Sequence, residues 1–239
     1  MILRRVIKHF RQQEWTAIFL DFLIVVVGVF VGLQVSNWNE LRGDQEDETA
    51  FLERLASDIE TELKGTETLL KSATADKHLL EQAIFIVQSN DTDVVLTTEQ
   101  CRIAWQSHVL GGSYAFNRLL SVEALSQSRG LGILSDTDLQ LALISYQRAM
   151  DYSANLANFI ISDVKNLVDD YPEIFPRTLL PDVSSRFADC QLDAMRASRA
   201  VRNKLLSNHG RLGGITAAIE KQVKLLRQLQ SMVKRNTRQ

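Results

Sequence analysis

A nearly continuous apolar run opens the chain. From residue 16 to residue 35 the only charged side chain is that of Asp21. A bilayer core about 30 Å thick requires about 20 helical residues. The run therefore predicts a transmembrane helix.

Two tryptophans flank this run and set its bounds. Trp15 and Trp38 would lie about 34 Å apart on a helix that rises about 1.5 Å per residue, which places both indoles near the membrane interfaces where tryptophan concentrates. We predict a membrane-spanning helix over residues 16–38, and lipid bilayer as its surroundings. The run ends at "NWNE" because the membrane ends there.

After the run, apolar residues recur at steps of three and four, the period of an amphipathic helix. They are Leu52, Leu55, Ile59, Leu63, Leu69, Leu70, Ala73, Leu80, Ala83, Ile84 and Val87. This pattern predicts a long helix over residues of about 45–89 that continues outward from the anchor and is broken at residues 90–93.

Later helices are marked by capping and breaking residues. Thr97 with Gln100 and Ser135 with Asp138 have the spacing of a capping box, which predicts helix starts near residues 98 and 136. Arg129-Gly130 ends the helix between them.

The prolines define a linker. Pro172, Pro176 and Pro181 predict that residues 171–182 connect two helical parts. Two more helices are predicted over about 183–207 and 212–235, with "NHGRLGG" as the turn between them. Only "DVVL" at 93–96 offers a short strand candidate. The predicted fold is all-α: a single N-terminal transmembrane helix that continues into a helical bundle.

Charge near the anchor predicts its orientation. The leader, residues 1–15, carries Arg4, Arg5, Lys8 and Arg11 against Glu14, whereas residues 40–48 carry Arg42 against five acids. By the positive-inside rule the N-terminus is cytoplasmic. Residues 39–239 then form a domain outside, which in a bacterium is the periplasm, with the anchor in the inner membrane.

A cleaved signal peptide is the competing interpretation of the basic leader and apolar run. It requires a small-x-small cleavage site. The end of the run, Gly32 to Val35, offers no well-placed pair of this kind. A retained anchor is therefore the better prediction.

Charge further along the chain is also uneven. Residues 44–93 hold thirteen Asp/Glu and four Lys/Arg, whereas residues 196–239 hold eleven Lys/Arg and one acid. A basic tail can indicate nucleic acid, but a periplasmic location argues against that partner. We predict instead that the C-terminal helix packs antiparallel to the acidic helix, with apolar contacts supplying the energy and charges selecting the pairing.

Candidate chemistry is sparse. The four histidines have no second His, Cys or carboxylate at a typical zinc spacing, and "GRLGG" lacks the Lys-Ser/Thr of a phosphate loop. We predict no metal, no cofactor and no enzymatic activity. Cys101 and Cys190 would lie in an oxidising space, where they form a disulfide or, alternatively, serve as small apolar fillers on separate helices.

Asp21 is the residue with the most specific functional interpretation. A carboxylate inside the membrane costs about 2.5–3.5 kcal/mol on insertion scales at the helix centre. At about 100° per residue, Gly28, Gly32 and Asn39 fall within roughly 20° of Asp21 around the helix. Glycines so spaced allow a second helix to approach closely. The pattern predicts that this face contacts a partner helix, in a homo-oligomer or in another membrane protein. The alternative is that Asp21 lies in a locally thinned membrane interface and that the glycines are ordinary residues of a membrane helix.

The segment "LDFLIVVVGVFVGLQVSNWNE" resembles the N-terminal signature of an uncharacterised family of bacterial single-pass membrane proteins. The matching residues are Asp21, Gly28, Leu33, Gln34, Asn37, Trp38, Asn39 and Glu40. The family usually has Glu at the acidic position, and it more often has Asn where this chain has Ser36. A weaker similarity covers residues 115–147. The resemblance implies no enzymatic activity.

Three function classes stay open, of which an enzyme is the least favoured because no nucleophile, base or metal constellation stands out. The first is a non-enzymatic, membrane-anchored scaffold or accessory subunit of a bacterial envelope complex. The second is a periplasmic helical bundle that senses a ligand and signals through a partner membrane protein, because about fifteen cytoplasmic residues leave no room for an output domain.

Overall fold

The structure is a computed structural model that describes residues 15–110, 116–128, 130–162, 165–179 and 186–237 of the 239-residue chain. The predicted basic leader lies outside these residues except for Trp15, as do Arg129 and Pro181. Contacts divide the chain into two compact units, Met1–Ala50 and Phe51–Gln239. The second unit is called the bundle below.

Helices form most of the described part of the chain. In chain order the elements are α1 (Trp15–Gln88), α2 (Thr98–Gln106), α3 (Leu120–Ser128), a 3₁₀ turn (Leu131–Ile133), α4 (Thr137–Ser162), α5 (Leu167–Asp170), β1 (Arg177–Leu179), β2 (Arg186–Ala188), α6 (Leu192–Ala197) and α7 (Arg199–Asn236). The predicted all-α class holds at this level, with one small strand pair added.

Helix α1 contains both the predicted membrane run and the predicted amphipathic helix. It ends at Gln88, because the next residues form side-chain-stabilised turns. The Ser89 hydroxyl accepts a hydrogen bond from the Asp91 N–H at 3.0 Å, and the Asp91 carboxylate accepts one from the Asp93 N–H at 2.9 Å. Such bonds offer the backbone an alternative to the helix.

The predicted helix caps are mostly confirmed. Thr97 and Gln100 form the reciprocal capping box that begins α2. Gly130 has a φ of 76° and donates its N–H to the Leu125 carbonyl at 2.8 Å, a bond that closes the end of α3. At the start of α4 the Asp136 carboxylate accepts the N–H groups of residues 138 and 139, so Asp136, one residue after the predicted Ser135, caps this helix.

The predicted linker, residues 171–182, contains β1 but not β2. Strand β2 lies in the segment predicted as a helix over 183–207, so the predicted start of that helix was wrong. Helix α5 ends at Asp170, two residues before Pro172, and β1 pairs antiparallel with β2, with Arg177 opposite Ala188. The strand candidate at 93–96 was wrong, because these residues are loop. Three-residue strands are too short to show the alternation by which strands are recognised in a sequence.

The prediction of two C-terminal helices was also wrong, because α7 runs through "NHGRLGG" without interruption. Burial outweighs the low helix propensity of the glycines. Asn208 is 2 % exposed and donates to the Ser107 hydroxyl and the Lys165 carbonyl, both at 3.0 Å. A Cβ on Gly214 would lie 3.8 Å from Ile160 Cδ1, so α4 packs close to this part of α7.

Three long helical segments, from α1, α4 and α7, form the core of the bundle. At one end the buried side chains of the core include Ala73, Leu80, Ala83, Ile84 and Val87 of α1, Ala157 and Ile160 of α4, and Val201, Leu205, Leu212, Ile215 and Ile219 of α7. At the other end they include Phe51, Leu52, Leu55 and Ile59 of α1, Leu139, Leu143, Tyr146 and Met150 of α4, and Leu226, Leu229, Met232 and Val233 of α7. Helix α7 therefore runs antiparallel to both α1 and α4.

Charge contributes little to this pairing. The Arg227 guanidinium donates to the Glu67 carboxylate at 2.8 Å, and this pair links the basic and acidic segments, but both side chains are largely exposed. Exposed pairs contribute only about 0–1 kcal/mol, whereas each buried leucine contributes about 1.5–3 kcal/mol. Apolar burial therefore holds the helices together.

The antiparallel arrangement predicts which engineered cysteines cross-link. Cysteines at Leu55 and Leu229, which share one end of the core, should be joined by a short thiol-specific cross-linker. Cysteines at Leu55 and Leu212 should not, because Leu212 belongs to the other end. Both pairs are introduced into the C101S/C190S background and read as a mobility shift on gels. A shift for the second pair alone would mean that the helices run parallel.

Candidate functional site

The first candidate surface is the apolar part of α1. Within the described residues this is one helix with an apolar window long enough to cross a membrane, and the rest of the structure buries none of that window. The exposed large side chains are Phe19, Leu20, Phe22, Leu23, Ile24, Val25, Val26, Val27, Val29, Phe30, Val31, Leu33, Val35, Trp38 and Leu41. A soluble monomer rarely exposes so large an apolar patch, so this surface requires a cover.

The glycines of the predicted contact face are open. Apart from the helix's own backbone, no described heavy atom lies within 4 Å of a Cβ built on Gly28 or Gly32. Asn39 and Trp38 are exposed. Asp21 and Trp15 belong to the helix backbone, but their side chains lie outside the described part, so the proposed roles of both stay predictions.

A disulfide joins two parts of the bundle that lie far apart in sequence. Cys101 on α2 and Cys190 after β2 are bonded, with a Cα–Cα distance of 5.8 Å and a sequence separation of 89. The sequence left this pairing open. In the chain-entropy account, a disulfide that closes a loop of this length restricts the unfolded chain and so stabilises the folded state by about 4–5 kcal/mol. The strand pair and α2 are therefore held to each other covalently.

The described residues contain no group of three or more His, Cys, Asp or Glu side chains that could hold a metal ion. His108 lies two residues beyond the end of α2, with Nδ1 2.8 Å from the carbonyl oxygen of Trp105 in that helix.

A cluster of polar side chains that extends from the bundle core to its surface was missed by the sequence predictions. Glu62, Thr66, Asn117, Tyr146 and Gln222 form it, and they are called the polar cluster below. The Gln222 amide donates to the Glu62 carboxylate at 3.0 Å and to the Tyr146 hydroxyl at 3.4 Å. The Tyr146 hydroxyl donates to the Asn117 carbonyl at 3.2 Å. The cluster connects α1, α4, α7 and the segment before α3.

Electrostatics single out Glu62 in this cluster. Burial raises the pKa of its carboxyl, and hydrogen bonds from Asn117, Thr66 and Gln222 oppose that shift. These donors are all neutral, and no described cation lowers the pKa of Glu62. Burial, with a smaller contribution from the Glu62 charge, also raises the pKa of Tyr146 to about 12, so its hydroxyl stays protonated.

One signal in the sequence could have revealed the cluster. Glu62 and Thr66 continue the apolar steps of Leu55 and Ile59, and Gln222 falls between Ile219 and Leu226. Polar residues at core-facing helical positions must find hydrogen-bond partners, since an unpaired buried polar group costs about 1–3 kcal/mol. The signal identifies the positions, but not which helices meet.

The polar cluster opens onto a cleft of about 460 Å³. It is called the Glu62 cleft below. Its lining residues are Glu62, Phe116, Asn117, Arg118, Leu120, Glu123, Met150, Asp151 and Ala154. The volume lies in the range of about 300–1,000 Å³ typical of small-molecule sites.

Comparisons with models of known protein families, with curated protein sequences and with solved structures find no match to this chain. Its class is therefore given by its own geometry: a long apolar N-terminal helix and a disulfide-linked helical bundle. The resemblance to the uncharacterised membrane family stays a prediction that depends on the signature residues.

Replacing Glu62 by Gln should stabilise the protein at neutral pH. The raised pKa means that the folded state binds more protons than the unfolded state between the unfolded and folded pKa values, so wild-type stability falls as pH rises through that window. The E62Q variant does not lose stability in this window, because glutamine does not ionise. Because solvent screens the half-buried carboxyl, we expect a melting temperature only about 1–3 °C higher than wild type at pH 7, and equal near pH 4.

Thermal unfolding across this pH range checks the prediction. The control is Glu60→Gln, which removes an exposed carboxyl from the same helix and should show no pH-dependent difference. A melting temperature for E62Q below that of wild type at pH 7 would contradict the proposed burial cost.

Proposed function

We propose that this protein is a non-enzymatic, membrane-anchored scaffold or accessory subunit of a bacterial envelope complex. Helix α1 spans the inner membrane, the N-terminus is cytoplasmic, and the bundle is periplasmic. A partner helix, from a second copy or from another membrane protein, packs against the face formed by Asp21, Gly28, Gly32 and Asn39.

The observation that carries this proposal is the unburied apolar window of α1 with its two open glycines. The Val, Leu, Ile and Phe side chains can face the lipid hydrocarbon without a free-energy penalty. It does not compensate an ionised carboxylate, which should face a polar partner. Gly28 and Gly32 remove side-chain bulk on the same side of the helix, so that a second helix can approach.

Charge and redox chemistry support the orientation. The leader is basic and the flank beyond Trp38 is acidic, which agrees with the positive-inside rule. The bond between Cys101 and Cys190 persists in an oxidising compartment and is rare in a reducing cytosol. The same bond uses both cysteines of the chain, so neither serves as a nucleophile in this account.

A ligand-sensing bundle is the second candidate. The Glu62 cleft favours it, because the cleft joins three segments of the bundle and has the size of a small-molecule site. A bound ligand would then be reported to a partner through α1, and both candidates require the same helix contact in the membrane.

Substitutions on the glycine face should weaken that contact. Gly28→Ile and Gly32→Ile add bulk where the partner approaches, and Asp21→Leu removes the polar group, so each should reduce recovery of a membrane-cross-linked partner by about tenfold or more. Cross-linking in native membranes followed by purification in mild detergent provides the measurement. A homo-oligomer would be recovered as a cross-linked dimer.

The matched control is Val26→Phe, which adds bulk about 140° around the helix from Asp21. It should leave recovery unchanged. Equal losses for all four variants would indicate a general defect in the helix and would overturn the proposed face, as would recovery of the wild-type chain without any partner.

A further inference from the structure

The Glu62 cleft has an unusual balance of charge. Its lining contains three carboxylates, from Glu62, Glu123 and Asp151, and one guanidinium, from Arg118. Arg118 is already engaged: its Nε donates to Asp151 Oδ1 at 2.9 Å, and its Nη1 lies 3.6 Å from Glu123 Oε1. Glu62 is left as the carboxylate without a cation among the described residues.

The remaining lining is apolar. Met150 is 1 % exposed, whereas Leu120 is 72 % exposed, so the apolar surface extends from the core to the rim of the cleft. Phe116 and Ala154 complete this surface. Phe116 also offers an aromatic ring, whose face attracts a cation electrostatically.

The hydrogen-bonding groups around Glu62 also point to a cation. Gln222 donates to its carboxylate at 3.0 Å and is buried. The buried Thr66 hydroxyl lies 3.5 Å from the carboxylate and donates chiefly to the main-chain carbonyl of Glu62 at 2.7 Å. Both groups are neutral and supply no positive charge. A ligand ammonium would provide the missing countercharge and strong, charge-assisted hydrogen bonds.

We propose that the Glu62 cleft binds an amphiphilic organic monocation, a protonated amine with an aromatic or aliphatic body. The ammonium bonds to the Glu62 carboxylate, and the body packs against Phe116, Leu120 and Met150. An anion is disfavoured by the three carboxylates, and a neutral molecule leaves Glu62 without a countercharge. The site lies in the bundle and does not depend on the proposed contact of α1 with a partner helix.

Binding of 2-phenylethylammonium to the full chain in nonionic detergent tests the proposal. Ligand-observed NMR should show saturable binding, which 2-phenylethanol and 3-phenylpropanoate should not match. Glu62→Gln should weaken binding by about tenfold or more, as expected when a hydrogen bond to a charged group is lost. Because E62Q is expected to be more stable than wild type at neutral pH, unfolding would not explain that loss.

Glu60→Gln is the control, since it removes the same charge from an exposed position on α1 outside the cleft, and it should leave binding unchanged. The proposal is overturned if the amine shows no saturable binding up to about 10 mM. It is also overturned if the alcohol binds as tightly as the amine, or if the two variants behave alike. This binding test is independent of the cross-linking test in the membrane. If the glycine-face variants kept their partner, the proposed helix contact would fail but the amine-binding result would stand.

Discussion

Burial of the apolar face of α7 against α1 and α4 is the interaction on which the rest of the bundle depends. It brings together Leu55 and Leu229 at one end of the core, and Leu80 and Leu212 at the other. The same packing places Gln222 beside Glu62, and so creates the polar cluster. Without that contact α7 would expose about ten large apolar residues, each worth about 1.5–3 kcal/mol when buried.

Local signals allowed much of this fold to be predicted. The end of α1, the Thr97 cap and the apolar steps of α7 depend on neighbouring residues, and sequence shows these directly. Tertiary contacts decided the failures. Gly213 and Gly214 read as a turn, but α7 continues because Asn208 and its neighbours are buried against other segments. The polar cluster joins residues as far apart as Glu62 and Gln222, and no local pattern specifies such a pairing.

The two candidate surfaces use opposite chemistry. The window of α1 is apolar and open on every side, so lipid and a partner helix can cover it. The Glu62 cleft lies among packed helices and combines a carboxylate with apolar walls. Of the residues predicted to be functional, Gly28 and Gly32 have the open surroundings that a helix contact requires. The role of Asp21 depends on its side chain, whereas the disulfide partners are fixed by the fold.

The redox state of Cys101 and Cys190 in growing cells tests the proposed anchored, periplasmic bundle most directly. Acid quenching followed by alkylation under denaturing conditions traps every free thiol. A bundle in an oxidising compartment predicts that neither cysteine is alkylated until a reductant is added, while Cys101 is alkylated at once in the Cys190→Ser chain. Immediate alkylation of both cysteines in the wild-type chain would place the bundle in a reducing compartment and contradict the proposed orientation.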